Sequence, residues 1–248
     1  WGLLTDTECT VSFAGEVRGA RGGISASGSD NQIAVAGTVT STGSYSENHA
    51  IRISQYNNTV QVGSAIVAAG NGAGVYVDTF AGGTVTVGSS ETSGQVVGKG
   101  NGLWIRSDAT VTVYGDIEGA VRGIYTVEDS TVTVHGNVTS SAATGEGQGI
   151  YCFANSTPAT ITVNGNVEGI SGAYVHGGGS ILTINGNVAA RGADPASNYG
   201  VYASYAEVNV TGNLTASQCL GAHSFESSEI QVEGVLSAFN YLKTRYTA

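Results

Sequence analysis

The chain has 248 residues, and 9 Lys and Arg against 19 Asp and Glu leave a formal net charge of −10. It lacks the basic surface that neutralises phosphates, so we expect no nucleic-acid partner. It contains no run of about 18 apolar residues, so we expect no membrane-spanning segment. Charged residues make up only 11% of the chain, and a surface built instead from Ser, Thr and Asn is typical of secreted β-proteins.

Ten repeats run along the chain, each centred on a motif of the form Thr-Val-Thr-Val-x-Gly-x-Val. Clear examples are TVTVYGDI at residues 110–117, TVTVHGNV at 131–138 and TITVNGNV at 160–167. Repeats of 20 to 50 residues are typical of solenoids and related arrays. Here the glycine positions are 21 to 29 residues apart, at Gly15, Gly37, Ser64, Ser89, Gly115, Gly136, Gly165, Gly186, Gly212 and Gly234.

In each repeat, two apolar residues, most of them β-branched, alternate with other residues ahead of the glycine position. Alternation of this kind predicts a strand with one buried face, so we expect both apolar positions to point into the core. The first position holds Val11, Ile33, Val60, Val85, Val111, Val132, Ile161, Leu182, Val208 and Ile230. The second holds Phe13, Val35, Val62, Val87, Val113, Val134, Val163, Ile184, Val210 and Val232.

A second short strand is predicted after the loop that follows each motif, in segments such as GVY, GLW and GIY. Two strands per repeat without a helical period predict an all-β fold, a single-stranded right-handed parallel β-helix (β-solenoid). Its coils, about ten in number, would be stacked ~4.8 Å apart. We expect a single domain over residues 1–248. It would have an N-terminal cap at 1–9, coils at 10–239 and a C-terminal cap or a continuation at 240–248.

Polar residues follow the glycine of the motif at the same bend of successive coils. Asn and Asp tolerate left-handed backbone and hydrogen-bond to turns, and we expect a ladder of Asp116, Asn137, Asn166, Asn187 and Asn213. Longer loops fall in turns 2, 4, 6 and 8, so we also expect one flank to carry a long loop at every second coil.

The second strand contains an outward file of aromatic residues. Because Val75 and Val77 would both point inward, the residue between them must point outward, and the same holds in the coils that follow. We call this file the aromatic strip: Tyr76, Trp104, Tyr125, Tyr151, Tyr174, Tyr202 and His223. Beside it lie Asp78, Arg106, Phe153, His176, Ser204 and Phe225.

Two interpretations of the aromatic strip remain open. The rings could stabilise the sheet through contacts between neighbouring strands or lie under a loop. They could instead form an exposed strip that binds sugar rings or a partner surface, because large exposed aromatic groups reduce solubility unless they are used.

The outward positions of the first strand hold pairs of threonines, which resemble the ice-contacting face of β-helical antifreeze proteins. Thr is also favoured in strands generally, so the pattern fits an ordinary sheet surface as well. The threonines are Thr84, Thr86, Thr110, Thr112, Thr131, Thr133, Thr160, Thr162 and Thr183. Residues that interrupt the array towards its ends are Gln32, Ala34, Gln61, Glu207, Asn209, Glu229 and Gln231.

The acidic residues do not form a predicted active site. Glu118 and Glu168 share a file, but they lie two coils apart with Thr139 between them. Lys243 and Arg245 near the C-terminus have no file of carboxylates beside them. We therefore expect no catalytic residues.

Cysteine and histidine residues likewise suggest neither a disulfide nor a metal site. Cys9, Cys152 and Cys219 belong to distant coils, whereas a disulfide needs Cα atoms within about 7 Å; Cys152 is predicted to face the core. His176 and His223 lie two coils apart and lack a third ligand. We expect no metal and no cofactor.

With these stacked repeats, the chain resembles the parallel β-helix surface proteins that bacteria secrete, such as autotransporter passengers and haemagglutinin-like adhesins. The resemblance extends from about residue 10 to about residue 242 and concerns architecture rather than activity. It implies an extracellular or cell-surface location.

The sequence thus predicts a non-catalytic stalk or adhesive segment of a surface protein, which contacts a glycan or a partner surface through the aromatic strip. Three alternatives remain. One is a polysaccharide lyase or hydrolase, because enzymes of both kinds share this shape. Another is a filament subunit that associates end to end through unpaired strands. The last is an ice-binding protein.

Overall fold

The computed structural model of the chain describes residues 1–78 and 81–245, with the backbone alone at 240–245. In this part of the chain all regular secondary structure is β-strand. The described residues form 27 strands: β1 (Leu3–Thr5), β2 (Thr10–Phe13), β3 (Val17–Gly19), β4 (Ile24–Ala26), β5 (Gln32–Val35), β6 (Val39–Ser41), β7 (Ile51–Ile53), β8 (Asn58–Val62), β9 (Ala65–Ala68), β10 (Val75–Val77), β11 (Gly83–Val87), β12 (Gln95–Gly98), β13 (Asn101–Ile105), β14 (Ala109–Val113), β15 (Ile117–Gly119), β16 (Arg122–Thr126), β17 (Ser130–Val134), β18 (Val138–Ser140), β19 (Gln148–Phe153), β20 (Thr160–Val163), β21 (Val167–Gly169), β22 (Ser171–Ile184), β23 (Val188–Ala190), β24 (Tyr199–Val210), β25 (Leu214–Phe225), β26 (Glu229–Val232) and β27 (Leu236–Arg245).

Strands of successive coils pair in parallel and form three stacks. The aromatic stack contains β1, β4, β7, β10, β13, β16, β19, the initial parts of β22 and β24 and the final parts of β25 and β27. The threonine stack contains β2, β5, β8, β11, β14, β17, β20, the final parts of β22 and β24, and β26. The third stack contains β3, β6, β9, β12, β15, β18, β21, β23 and the initial parts of β25 and β27.

These parallel stacks confirm the predicted β-solenoid of about ten coils. The pairing in the threonine stack aligns the predicted inward positions residue for residue, so that Val111 lies opposite Val132 and Val113 opposite Val134. All four side chains are buried. Full burial of each such side chain contributes roughly 1.5–3 kcal/mol to folding.

The inward files are less well covered at the two ends. In the first coil Phe13 is 48% exposed, because β2 pairs with β5 alone among the described strands. In the tenth coil Ile230 and Val232 are half-buried. The residues at the predicted inward positions are therefore buried in the interior coils and only partly covered in the end coils.

Each coil has three strands, whereas the sequence predicted two. The missed strand, such as β15 or β18, follows the bend after the motif's glycine. It is only three residues long and has a single large inward side chain, Ile117 in β15 and Val138 in β18. One inward residue cannot produce an alternating pattern, so periodicity did not reveal this strand.

A glycine precedes the inward residue of most strands in the aromatic stack because the third stack packs closely against it. A Cβ on Gly123 would lie 2.5 Å from Cγ1 of Val138 and 2.6 Å from the carbonyl oxygen of Gly149. A Cβ on Gly102 would lie 2.4 Å from Cγ2 of Ile117. Glycine therefore permits a close approach at this corner.

The predicted ladder of Asp116 and four asparagines is present. The side-chain Oδ1 of each residue but the last accepts a hydrogen bond from the backbone N–H of the ladder residue in the next coil. The backbone nitrogen of Asn166 is 2.9 Å from Oδ1 of Asn137, and that of Asn187 is 2.8 Å from Oδ1 of Asn166. The amide Nδ2 groups of Asn137, Asn166 and Asn187 also donate to the preceding Oδ1, at 3.0, 3.2 and 3.0 Å. None of these residues has a positive φ, so their role is the ladder and not the left-handed backbone.

The expectation of a long loop at every second coil on one flank is wrong at turn 4. Loops 42–50, 141–147 and 191–198 join the third stack to the aromatic stack. The extra residues of turn 4, 88–94, instead join the threonine stack to the third stack. The flank beside the aromatic stack is therefore more open in the middle of the rod.

Both predicted caps contain residues that continue the stack. Strand β1 pairs in register with β4, which places part of the N-terminal segment 1–9 in the first coil. Strand β27 pairs with β25 as far as Arg245. Residues 246–248 of the predicted C-terminal segment lie outside the described residues.

Replacing Val134 by Asp should destabilise the solenoid strongly. The variant places a carboxylate between Val113 and Val163 at a fully buried position, and an unpaired buried charge costs several kcal/mol or is neutralised. A thermal melt should show a large drop in Tm. The neighbouring Thr133 points outward, and Thr133→Lys should change the free energy of unfolding by only about 0.5 kcal/mol. A Val134→Asp melt like that of the wild type would contradict the inward assignment.

The direction of the ladder predicts unequal effects for two related substitutions. Asp116 only accepts hydrogen bonds, so Asp116→Asn should leave stability nearly unchanged. Asn166 both donates and accepts, so Asn166→Asp at neutral pH sets a carboxylate against Oδ1 of Asn137 and should cost about 1–3 kcal/mol. Chemical denaturation measures both; equal effects would argue against a directional ladder.

Candidate functional site

All seven residues of the aromatic strip lie in register in the aromatic stack. The pairings run from Tyr76 opposite Trp104 to Tyr202 opposite His223, without interruption. The inward neighbours of Tyr125, Ile124 and Thr126, are buried, which sets the ring on the outer face. The position and the outward direction of the strip therefore agree with the sequence prediction.

In the second half of the strip the rings stack face to face along the rod. The ring centroids of Tyr151 and Tyr174 are 4.8 Å apart with an interplanar angle of 9°, and those of Tyr174 and Tyr202 are 4.5 Å apart at 2°. Such faces are occupied by neighbouring rings. What this part of the strip offers to a partner is therefore a row of ring edges and phenol groups.

The first half of the strip is less regular. Tyr76 meets Trp104 edge-on at 5.0 Å and 69°, and Tyr125 meets Tyr151 in the same way at 5.3 Å and 75°. Trp104 and Tyr125 are near parallel at 16°, but their centroids are 5.9 Å apart. Trp104 and Tyr125 therefore lack the close face-to-face stacking that the rings have between Tyr151 and Tyr202.

Loop 42–50 covers one end of the strip, Tyr199 at the start of β24 contacts the other end, and the middle is accessible. At one end the buried His49 of loop 42–50 stacks on Tyr76, with centroids 4.3 Å apart. At the other end the ring centroid of Tyr199 lies 5.3 Å from that of Tyr202 and 5.7 Å from that of His223. Tyr76 and His223 are only 7% and 9% exposed. The five residues between them are half-buried, so the accessible section runs from Trp104 to Tyr202.

The phenols of Tyr151 and Tyr174 are neutral at physiological pH. Burial raises the pKa of Tyr151 above its usual value, and burial together with the neighbouring Tyr202 and Tyr151 raises that of Tyr174 further. A neutral phenol both donates and accepts hydrogen bonds. The hydroxyl groups of Tyr151 and Tyr174 can therefore either donate a hydrogen bond to a polar partner or accept one from it.

A cluster of charged side chains lies beside the first half of the strip, and the sequence predicted only part of it. Arg52 occupies the strip's file one coil before Tyr76. Its Nη2 is 2.8 Å from Oδ2 of Asp78, the hydroxyl of Tyr76 donates to Oδ1 of Asp78 at 3.1 Å, and Nη1 of Arg106 donates to that hydroxyl at 3.4 Å. The sequence predicted that Asp78 and Arg106 lie beside the strip. It did not predict a role for Arg52, although the alignment of Arg52 with Tyr76 in the repeats could have revealed it.

Two buried donors in the same region lack acceptors. Within the described part of the chain, neither Nε of Arg52 nor Nε1 of Trp104 has a hydrogen-bond partner. Buried donors without partners are rare in folded proteins. They distinguish this end of the strip from the regular tyrosine stack beyond Tyr125.

Arg122 packs against the middle of the strip. Its guanidinium carbon lies 4.9 Å from the ring centroid of Tyr125 and 4.8 Å from that of Tyr151. Its Nε donates to Oε1 of Gln148 at 2.8 Å, and Nη2 forms an ion pair with Glu146. A cation held in this way favours the electron-rich ring faces and fixes the two tyrosines.

The threonine pairs also form two continuous outward files. One file aligns Thr84, Thr110, Thr131 and Thr160, all exposed, and is extended at its start by Thr59. The second aligns Thr86, Thr112, Thr133, Thr162 and Thr183, all half-buried. Four successive coils thus present Thr at both positions.

The remaining candidate residues stay apart. Glu118 and Glu168 lie two coils apart with Thr139 between them, as predicted. All three cysteines are free, and Cys152 is buried in the core. Among the described residues, no group of three or more His, Cys, Asp or Glu side chains is placed to hold a metal ion.

No protein-family model matches the chain, and no curated protein or solved structure shows significant similarity to it. The described residues contain no helix of the length and hydrophobicity needed to cross a membrane.

Lowering the pH should weaken the cover that His49 provides over Tyr76. Burial, and next the nearby Arg52, lower the pKa of His49 from 6.5 to about 4. As the pH falls from about 6.5 to about 4 the unfolded segment takes up a proton that the folded one does not, so stability decreases across this window and levels off below it. The full loss is on the order of 3 kcal/mol.

Hydrogen exchange of the Ala73 amide, which donates to Nδ1 of His49 at 3.0 Å, reports this opening directly. His49→Gln keeps an acceptor but does not titrate in this range, so its exchange should depend less on pH than that of the wild type. Identical pH profiles for the two proteins would rule out His49 as the cause.

Proposed function

We propose that this chain is a non-catalytic segment of an extracellular or cell-surface protein that contacts a glycan or a partner surface through the accessible section of the aromatic strip. The single observation that carries the proposal is the row of five half-buried rings in register, from Trp104 to Tyr202. Rings that served only to fill space could be enclosed, as Tyr76 is at 7% exposure. An accessible apolar row on a soluble rod suggests a contact surface.

The geometry favours contact through ring edges and hydroxyl groups more than through ring faces. Between Tyr151 and Tyr202 the faces are already stacked on each other. A partner would meet one phenol per coil, at a spacing of about 4.8 Å. Each contact would be weak, so affinity would depend on several coils engaging a repeating partner together.

We further propose that the parent protein is of the type that bacteria secrete to their surface, similar to autotransporter passengers or haemagglutinin-like adhesins. A single rod of parallel coils with a surface poor in charge fits such a stalk. An enzyme acting on polysaccharide is the main alternative, and the group of Arg52, Tyr76, Asp78 and Arg106 is where its chemistry would be sought. Assaying polysaccharides for the release of reducing ends or unsaturated products separates the two.

Ice binding is a second candidate, and the unbroken Thr files of four coils favour it. Flat, regularly spaced hydroxyl and methyl groups could order water on this face. A thermal-hysteresis measurement tests the idea, and Thr112→Lys/Thr133→Lys should abolish any activity while leaving the strip untouched. Absence of hysteresis in the wild type would remove this candidate.

Replacing Tyr125 and Tyr151 by Ser should abolish binding in a glycan array or a surface-adhesion assay. Loss of each ring contact removes about 0.5–1.5 kcal/mol, and the two changes interrupt the strip at its centre. The matched control is Tyr114→Ser/His135→Ser, which removes another stacked aromatic pair, 4.5 Å apart, outside the strip. Far-ultraviolet circular dichroism should show the β-fold in both variants.

The proposal fails if the wild type binds nothing in these assays. It also fails if the Tyr125→Ser/Tyr151→Ser protein binds as well as the wild type, or if the control variant loses binding to the same extent.

A further inference from the structure

Arginine side chains are concentrated beside the first half of the aromatic strip, although the protein as a whole is acidic. Nine Lys and Arg are set against 19 Asp and Glu. Three arginines nevertheless lie along this section: Arg52 in the strip's own file, Arg106 after Trp104, and Arg122 against the rings of Tyr125 and Tyr151. An anionic ligand would bind to whichever of the three has no carboxylate partner in the protein.

Two of these arginines are already engaged by carboxylates. Arg52 forms an ion pair with Asp78 at 2.8 Å, and Arg122 forms one with Glu146 while donating to Gln148. Since each guanidinium is neutralised locally, neither is the preferred partner of an external anion. Both instead hold the surrounding rings in place.

Arg106 differs from the other two. It is exposed, and within the described part of the chain no carboxylate forms an ion pair with it. Its hydrogen bond to the Tyr76 hydroxyl is long, at 3.4 Å. That hydrogen bond is the largest cause that raises the pKa of Arg106, and the charge interactions of Tyr76, Asp78 and Tyr125 add to it. The same bond directs Nη1 of Arg106 towards the strip residue Tyr76.

We infer that the strip recognises an acidic saccharide, with Arg106 binding a carboxylate on a sugar unit that lies over Trp104 and Tyr125. This inference rests on the proposed function and names the class of its ligand. The guanidinium presents parallel N–H donors that match the two oxygens of a carboxylate. The half-buried rings of Trp104 and Tyr125 supply the apolar surface beside it.

Because the protein is acidic, binding of an acidic saccharide would require a specific contact with one cation. A chain with a net charge of −10 repels an acidic polymer at long range. Attraction must then come from a particular, oriented cation and not from a general basic surface. Removing a different exposed arginine should consequently have little effect on binding.

The test compares an oligomer of galacturonic acid, which carries one carboxylate per sugar, with its methyl ester, which has the same backbone without the charge. Binding of both is measured by titration calorimetry for the wild type, Arg106→Gln, Arg106→Lys and Arg18→Gln. Arg18 is an exposed arginine in β3, outside the aromatic stack. It therefore serves as a control for the loss of one positive charge.

The wild type should bind the acid at least about tenfold more tightly than the ester, as expected for a charge-assisted pair. Arg106→Gln should lose this preference, Arg106→Lys should retain part of it, and Arg18→Gln should behave as the wild type. Melting temperatures of the variants should match that of the wild type, which separates loss of contact from loss of fold.

Equal binding of acid and ester by the wild type would overturn the inference while leaving the proposed contact surface intact. Equal losses in Arg106→Gln and Arg18→Gln would overturn it as well. If neither oligomer binds but a neutral glycan in the array does, the inference is overturned and the proposed function stands. If no glycan or partner surface binds at all, both are overturned.

Discussion

The register of the parallel strands is the constraint on which the other features of this protein depend. Each inward Val or Ile lies opposite its counterpart in the next coil, as Val113 does with Val134. A shift by one residue would turn every inward side chain to the solvent, because alternate residues of a strand face opposite sides. Burial of the inward files therefore holds the coils in a single alignment.

With that alignment set, whatever stands at one outward position is repeated along the rod at the spacing of the coils. An Asn at the bend becomes a ladder, in which Asn187 donates to Asn166. A Thr becomes a file, and a Tyr becomes a row of stacked rings such as Tyr174 on Tyr202. Stability and a repeating contact surface thus come from the same register.

Much of this could be predicted from the sequence, because the strongest signals are periodic. Alternation located the strands of the threonine and aromatic stacks, and the alignment placed Tyr76 to His223 in one file. The third stack was missed because strands such as β15 contain one large inward residue, Ile117. Ring exposure could not be predicted either. It depends on side-chain torsions and on the path of loop 42–50, which brings His49 onto Tyr76.

The central claim is that the accessible section of the strip is the contact surface. It is tested most directly by nuclear magnetic resonance of selectively labelled tyrosine rings during titration with the tightest-binding oligosaccharide from the array. If this section binds the oligosaccharide, the signals of Tyr125, Tyr151, Tyr174 and Tyr202 should shift while that of Tyr114 should not. Shifts confined to Tyr114 and the exposed Tyr45, or no shift in any strip residue at saturation, would contradict it.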